Sequence, residues 1–165
     1  MLDGQLHLGD TWQAGEIGHM LLIPGGTTCY CGKQGCADSY LSPRVLQTCT
    51  LSLKEFFHAL AVGKEDACAQ WETYLDNLAI LLTNLRMLMN VDLIIGGAIG
   101  SYITPYLSQL TEKAVHYDRF ARDVDYIYSC KRTKSAFAVG AAMLALKQHS
   151  RRILLPCVRE EGRTI

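Results

Sequence analysis

Gly15-Glu16-Ile17-Gly18-His19 and, beginning ten residues after the histidine, Cys29-Tyr30-Cys31-Gly32-Lys33-Gln34-Gly35-Cys36 decide how this chain is read. Thiolate and imidazole are preferred zinc ligands, and three Cys with one His complete a closed tetrahedral set. The glycines at 32 and 35 let the chain curl, so that sulfurs turn inward and backbone N–H groups approach them. Closed coordination leaves no open position for a substrate water, so the metal expected on His19, Cys29, Cys31 and Cys36 is structural. Its task would be to fix the loop 19–36, which has few apolar side chains to pack. The alternative is three unligated thiols beside a core histidine. Glu16 lies three residues before His19 between two glycines. Carboxylate and imidazole so placed could both face one polyol, with the second imidazole nitrogen free to hydrogen-bond. Equally, Glu16 could be a solvated surface acid or a brace for the metal ligand. Asp38, two residues past Cys36, is a further candidate acceptor, or a cap for the helix that follows.

Composition narrows the class. The chain has 165 residues, with Lys+Arg and Asp+Glu both at 16, 49% hydrophobic and 19% charged. A chain of this length buries roughly 70% of its unfolded surface and suits one domain, or one lobe of a larger protein. It is too apolar for disorder. With no basic excess, nothing is built to neutralise many phosphates. No run of 18 apolar residues is present, so no membrane span is expected. The start, Met1 to Gln5, lacks the parts of a signal peptide, so a cytoplasmic location is expected. Seven cysteines at irregular spacing make a poor disulfide framework. Cys49, Cys68, Cys130 and Cys157 therefore read as reduced and mostly buried.

Outward from the cysteine loop, the glycine-rich first forty residues permit short strands at Leu2–Leu8 and Gly18–Ile23. From Ser42-Pro43, a cap followed by Pro in the first turn, the pattern turns helical. Ser52-Leu53-Lys54-Glu55 is a capping box that opens a helix over Leu53–Val62, stopped by Gly63. Trp71, Leu75, Leu78, Leu82, Leu85 and Met89 recur at three- and four-residue spacing and predict one long amphipathic helix over Ala67–Met89. Val91–Ile95 reads as a buried strand, Ile103–His116 as a helix, Asp123–Tyr128 as a strand and Ser135–Gln148 as an apolar helix. This alternation predicts an α/β architecture with a sheet covered by helices. Arg151–Ile165 reads as a loosely packed tail after a domain spanning 1–150. Gly96-Gly97, at the end of the strand, would allow close approach of a ligand or form a tight strand-to-helix turn.

These runs, Ala14 to Met20 and Cys29 to Cys36, together with Ile94-Ile95-Gly96-Gly97 and Phe137-Ala138-Val139-Gly140-Ala141-Ala142, resemble the signature of the ROK family of repressors, open reading frames and sugar kinases. The resemblance runs in order along nearly the whole chain. It implies an actin-like ATPase, ribonuclease-H-like lobe with a zinc-bound Gly/Cys-rich loop. It implies structural Zn2+ on His19, Cys29, Cys31 and Cys36, and a monosaccharide or sugar phosphate facing Glu16 and His19. The family usually has Glu two residues past the last Cys, where this chain has the shorter Asp38. It also places Gly96 and Gly97 on the adenosine side of the nucleotide, with ATP and Mg2+ required only if the full-length protein is a kinase.

The family's Asp-x-Gly-Gly-Thr phosphate motif, its second phosphate loop and its catalytic aspartate are not in this sequence. The chain reads as roughly the C-terminal half of a family member, an excised piece or a truncated reading frame, without the N-terminal lobe or any helix-turn-helix. Two classes follow: the sugar-sensing domain of a transcriptional repressor, or half of an ATP-dependent, glucokinase-like sugar kinase. Cys29 to Lys33, Ala37 to Tyr40 and Gly96 to Tyr102 look more like repressor-type members of Gram-positive bacteria, which favours the repressor and argues against an enzyme. DNA would then be met only through a domain outside this chain. A third reading is a scaffold or dimerisation module built on the long helix. Exposed apolar surface is expected where the other lobe should pack, which favours a homo-oligomer, a dimer.

Overall fold

The computed structural model describes residues 7–47, 52–120, 124–131 and 135–154. Its helices are α1 (Asp38–Leu41), α2 (Leu53–Ala61), α3 (Glu65–Met89), α4 (Gly97–Gly100), α5 (Leu107–Tyr117) and α6 (Ala136–Leu154). The strands β1 (Leu93–Ile95) and β2 (Ile127–Ser129) pair in parallel, with Leu93 opposite Ile127 and Ile95 opposite Ser129. A parallel pair needs a crossover, and α4 and α5 supply it.

The long helix α3 organises the core because its apolar residues fall on one stripe. Trp71, Leu75, Leu78, Leu82 and Leu85 are buried, whereas Met89 at the last helical position is not. Asn90 stops the helix in the left-handed region at φ 49°, its N–H bonding to the Arg86 carbonyl. Phe56 and Phe57 of α2 pack on Trp71, and Phe57 stacks on Tyr102 with ring centroids 4.2 Å apart. Leu110 and Ala114 of α5 close the other side. Each large apolar side chain buried here contributes about 1.5–3 kcal/mol. Lys113 of α5 reaches both Glu72 and Asp76 of α3 at 2.8 Å, which fixes the helix pair in register.

The capping box opens α2 as expected: Glu55 N–H donates to Ser52 Oγ, and Ser52 N–H donates to Glu55 Oε2 at 2.7 Å. The long helix begins two residues earlier than its periodicity suggested. Ile103–His116 divides into a 3-10 turn at Thr104–Tyr106 and α5. The second strand is shorter and shifted, at Ile127–Ser129, and Asp123 lies outside the described residues.

Two expectations are corrected. Gly18–Ile23 is no strand: a 3-10 turn covers Ile17–His19, and only isolated bridges join Leu21 to Cys36 and Thr28 to Gln34. The reason is local, because Leu22 and Ile23 both donate to the one carbonyl of Gly35, which curls the segment instead of extending it. Ser42-Pro43 opens a 3-10 turn, Pro43–Leu46, and Ser42 makes no side-chain cap. The last helix, α6, runs on to Leu154, past the Gln148 where its apolar pattern ends. Most of Leu2–Leu8, with Cys49, Cys157 and residues 155–165, lies outside the described residues. Cys68 and Cys130 are free but only half-buried.

The outer face of the two strands stays open. Ile94 and Tyr128 are exposed, as are Phe137, Met143 and Leu146 on α6. No helix among the described residues is long and apolar enough to cross a membrane.

Candidate metal centre and adjoining cavity

The loop 19–36 is anchored on α3 before any metal is considered. Ala37 is buried against Leu81 and Leu85, and Met20 and Leu22 pack on the same small cluster. Tyr74 Oη donates to the Leu41 carbonyl at 2.9 Å, and Gln70 Nε2 to the Val45 carbonyl at 2.7 Å. These bonds hold α1 and the turn after it on the long helix. Within the loop, Cys29 N–H donates to the Lys33 carbonyl and Gly32 N–H to the Cys29 carbonyl, which closes a tight turn. Gly35 sits at φ 84°, and a Cβ there would overlap the Ile23 carbonyl, so only glycine fits.

This folding brings His19, Cys29, Cys31 and Cys36 together, with all four ligand atoms within 4.8 Å of one another. Among the described residues it is the one such group of His, Cys, Asp and Glu. Cys29 Sγ lies 3.7 Å from His19 Nδ1, and Cys31 Sγ lies 3.7 Å from Cys36 Sγ. Metal–sulfur bonds of about 2.3 Å at tetrahedral angles put sulfurs about 3.8 Å apart. The donor set and its spacing thus fit a small, closed tetrahedral cation site.

The electrostatics point the same way. Burial, then hydrogen bonds with Cys31 and Cys29, push the Cys36 thiol up to about 11. Cys31 is drawn below its ordinary value, first by the Lys33 backbone N–H. Three thiolates this close repel one another unless a cation joins them, so proton release and metal binding are coupled. Lys33 adds a fixed positive charge, its Nζ donating to the His19 carbonyl at 2.8 Å.

His19 Nε2, the ring nitrogen not next to Cys29, meets Tyr30 Oη at 3.0 Å, with the two rings edge to face. A metal on Nδ1 leaves the proton on Nε2, which then donates to the phenol oxygen. The Tyr30 hydroxyl is held above its usual value by desolvation, then by the charges of Asp38, Cys29 and Glu16. It therefore stays protonated at neutral pH.

A cavity of about 580 Å3 lies against this cluster, lined by Trp12, Gln13, Glu16, His19, Cys31 and Lys33. Glu16 and His19 both line it. Asp38 does not line it. It sits in the first turn of α1 and faces an adjoining cavity of about 770 Å3 with Tyr30, Ser42 and Arg44. Asp38 makes no side-chain cap, so the capping alternative is not what the fold uses. Gly96 and Gly97 line neither cavity. Gly97, at φ 66°, opens α4 directly after β1 and has no atom within 4 Å of where a Cβ would stand. Trp12, Gln13, Tyr30 and Lys33 escaped the sequence reading as cavity residues. Only the charge of Lys33 inside the cysteine knuckle offered a signal.

Comparison with known proteins bears on the whole chain. An N-acetylmannosamine kinase of Vibrio cholerae is 35% identical over 108 residues, covering 61% of this chain and 37% of its own length. An N-acetylmannosamine kinase of Haemophilus influenzae is 29% identical over 162 residues, covering 94% of this chain and 51% of its own length. An N-acetyl-D-glucosamine kinase of Salmonella typhi is 32% identical over 131 residues, covering 68% and 43%. The chain thus spans about half the length, or less, of these relatives. A ROK hexokinase from Thermus thermophilus superposes with a TM-score of 0.75 at 24% identity, over 88% of this chain and 52% of that one. This gives the fold, an actin-like ATPase α/β lobe. The ROK family model matches residues 1–148, and the chain belongs to that family.

Proposed function

We propose that this chain is the metal-braced, sugar-binding C-terminal lobe, residues 1–150, of an ATP-dependent kinase for N-acetylated hexosamines. The observation that carries it is the shared cavity of Glu16 and His19 directly against the Cys3His cluster. The relatives named as N-acetylmannosamine and N-acetylglucosamine kinases support the kinase alternative over the repressor that the local motifs favoured.

In this reading Zn2+ is held by His19, Cys29, Cys31 and Cys36 and supplies a cross-link, not chemistry. It orients the His19 ring, and Glu16 accepts hydrogen bonds from two neighbouring sugar hydroxyls. Asp38 reaches the sugar from the adjoining cavity in place of the family's glutamate. Gly96 and Gly97 lie on the adenosine side of ATP·Mg2+. The sequence has no Asp-x-Gly-Gly-Thr run, so the phosphate loops and catalytic base are assigned to a second lobe. The full-length protein carrying this chain should release ADP when given N-acetylmannosamine or N-acetylglucosamine, and Glu16→Gln should abolish that release. Sugar-dependent binding of operator DNA without ADP release would overturn the kinase in favour of the repressor.

A further inference from the structure

Trp12 breaks two local rules at once. Its backbone lies in the left-handed region at φ 63°, where a bulky side chain is disfavoured, and its side chain is 77% exposed. The tight turn that holds it is closed by Ala14 N–H donating to the Leu8 carbonyl, with Gly9 at φ 68° on its near side. No core cluster includes the indole, so packing does not account for the cost. What the turn achieves is to stand the indole on the wall of the cavity that also holds Gln13, Glu16, His19 and Lys33. An unfavourable backbone that presents a side chain to a polar cavity points to a ligand contact.

The chemistry of that wall is two-sided. Glu16, Gln13 and Lys33 offer acceptors and donors, and Trp12 offers a flat apolar face. A hexose is two-sided in the same sense: its hydroxyls form a polar edge, and its axial C–H groups form an apolar face. Aromatic rings are large, rigid apolar surfaces that suit such a face. Resting on the sugar-site reading above, we infer that Trp12 is the stacking platform of the cavity. It packs against the C–H face of an N-acetylated hexosamine while Glu16 takes the hydroxyl edge.

Two substitutions separate this role from a structural one. Trp12→Gly suits the backbone better, so its Tm should equal or exceed that of the parent. Its affinity for N-acetylmannosamine, measured by calorimetry on the zinc-loaded full chain, should nevertheless fall roughly tenfold. Trp12→Phe keeps an aromatic face and should stay within about threefold. Trp12 also reports directly, because the other tryptophan, Trp71, is 1% exposed in the core. Sugar should therefore shift the red-edge emission of the parent to the blue, and Trp12→Phe should lose that shift. If the parent binds sugar and Trp12→Gly binds it equally well, the platform is wrong while the site stands. If the parent binds neither N-acetylmannosamine nor N-acetylglucosamine, the site and the platform are both overturned.

Discussion

The Tyr30 hydroxyl lies 3.0 Å from Nε2 of His19, while the other ring nitrogen, Nδ1, lies 3.7 Å from Cys29 Sγ. It therefore occupies the imidazole nitrogen that a sugar hydroxyl would use. Replacing Tyr30 with Phe removes this competitor and keeps the ring. Zinc content should stay at about one per chain. N-acetylmannosamine should bind roughly threefold tighter, since one hydrogen bond no longer has to be exchanged. Calorimetry and metal analysis on the same preparation check both halves. Weaker sugar binding would mean that the phenol is itself a sugar contact.

Metal removal should affect the loop more than the helical core. The thiols and His19 are joined to α3 mainly through Ala37 and neighbours, whereas α2, α3 and α5 hold one another. A strong chelator should lower Tm by several degrees and abolish sugar binding, with zinc restoring both. Cys36→Ala should lose the metal outright. Cys68→Ala, outside the cluster, should keep it. In the metal-free protein the raised Cys36 thiol sets a sign. Its folded value of about 11 lies above the ordinary 9.0, so its contribution is present below 9 and lost as pH rises towards 11. Thermal scans of the metal-free protein should show Tm falling across that window. A flat profile would contradict the burial assigned to Cys36.

The parts of this fold legible in the sequence are those set by local chemistry. Ser52 and Glu55 announce a helix start because both partners of the capping box are written three residues apart. Trp71 to Leu85 announce α3 because burial repeats with the helical period. His19 and the three cysteines announce a group that could hold a metal, because their donor atoms have few other common uses together. The segment around Leu21 misleads because its apolar run is real, yet Leu22 and Ile23 both turn to the Gly35 carbonyl. Trp12 and Tyr30 stay hidden for a related reason. A positive φ on a tryptophan and a phenol reaching back eleven residues arise from the loop's path, which no spacing rule encodes. Asp38 stands two residues past Cys36, yet the turn into α1 carries it to the neighbouring cavity.

The capping box offers a test of local against global stability. Ser52→Ala should cost about 1 kcal/mol, measured by denaturant unfolding. Glu55 is held below its ordinary 4.5, first by its hydrogen bonds with Ser52. A lowered carboxylate stabilises the fold above its unfolded value and ceases to do so as pH falls through its folded value. Stability should thus decline below about pH 4.5, and Glu55→Gln should flatten that limb in part. A limb unchanged by Glu55→Gln would place the acid sensitivity elsewhere.

The seat of the metal loop on α3 gives a prediction that links packing to the site. Leu81 and Leu85 are each 8% exposed and form the surface on which Ala37 rests, immediately after Cys36. Truncating Leu81 to Ala removes buried atoms and leaves a cavity, which costs about 2–5 kcal/mol. Part of that loss should appear as loosened geometry at Cys36, because its neighbour is what holds it down. Zinc affinity, measured by competition with a chelating dye, should fall severalfold, although no ligand is changed. Leu110→Ala supplies the control, since Leu110 is fully buried in the main core and does not belong to the cluster that carries the loop. It should destabilise the fold by a similar amount and leave zinc affinity near that of the parent. Equal losses of zinc affinity in both variants would show that the loop depends on overall stability and not on its own seat.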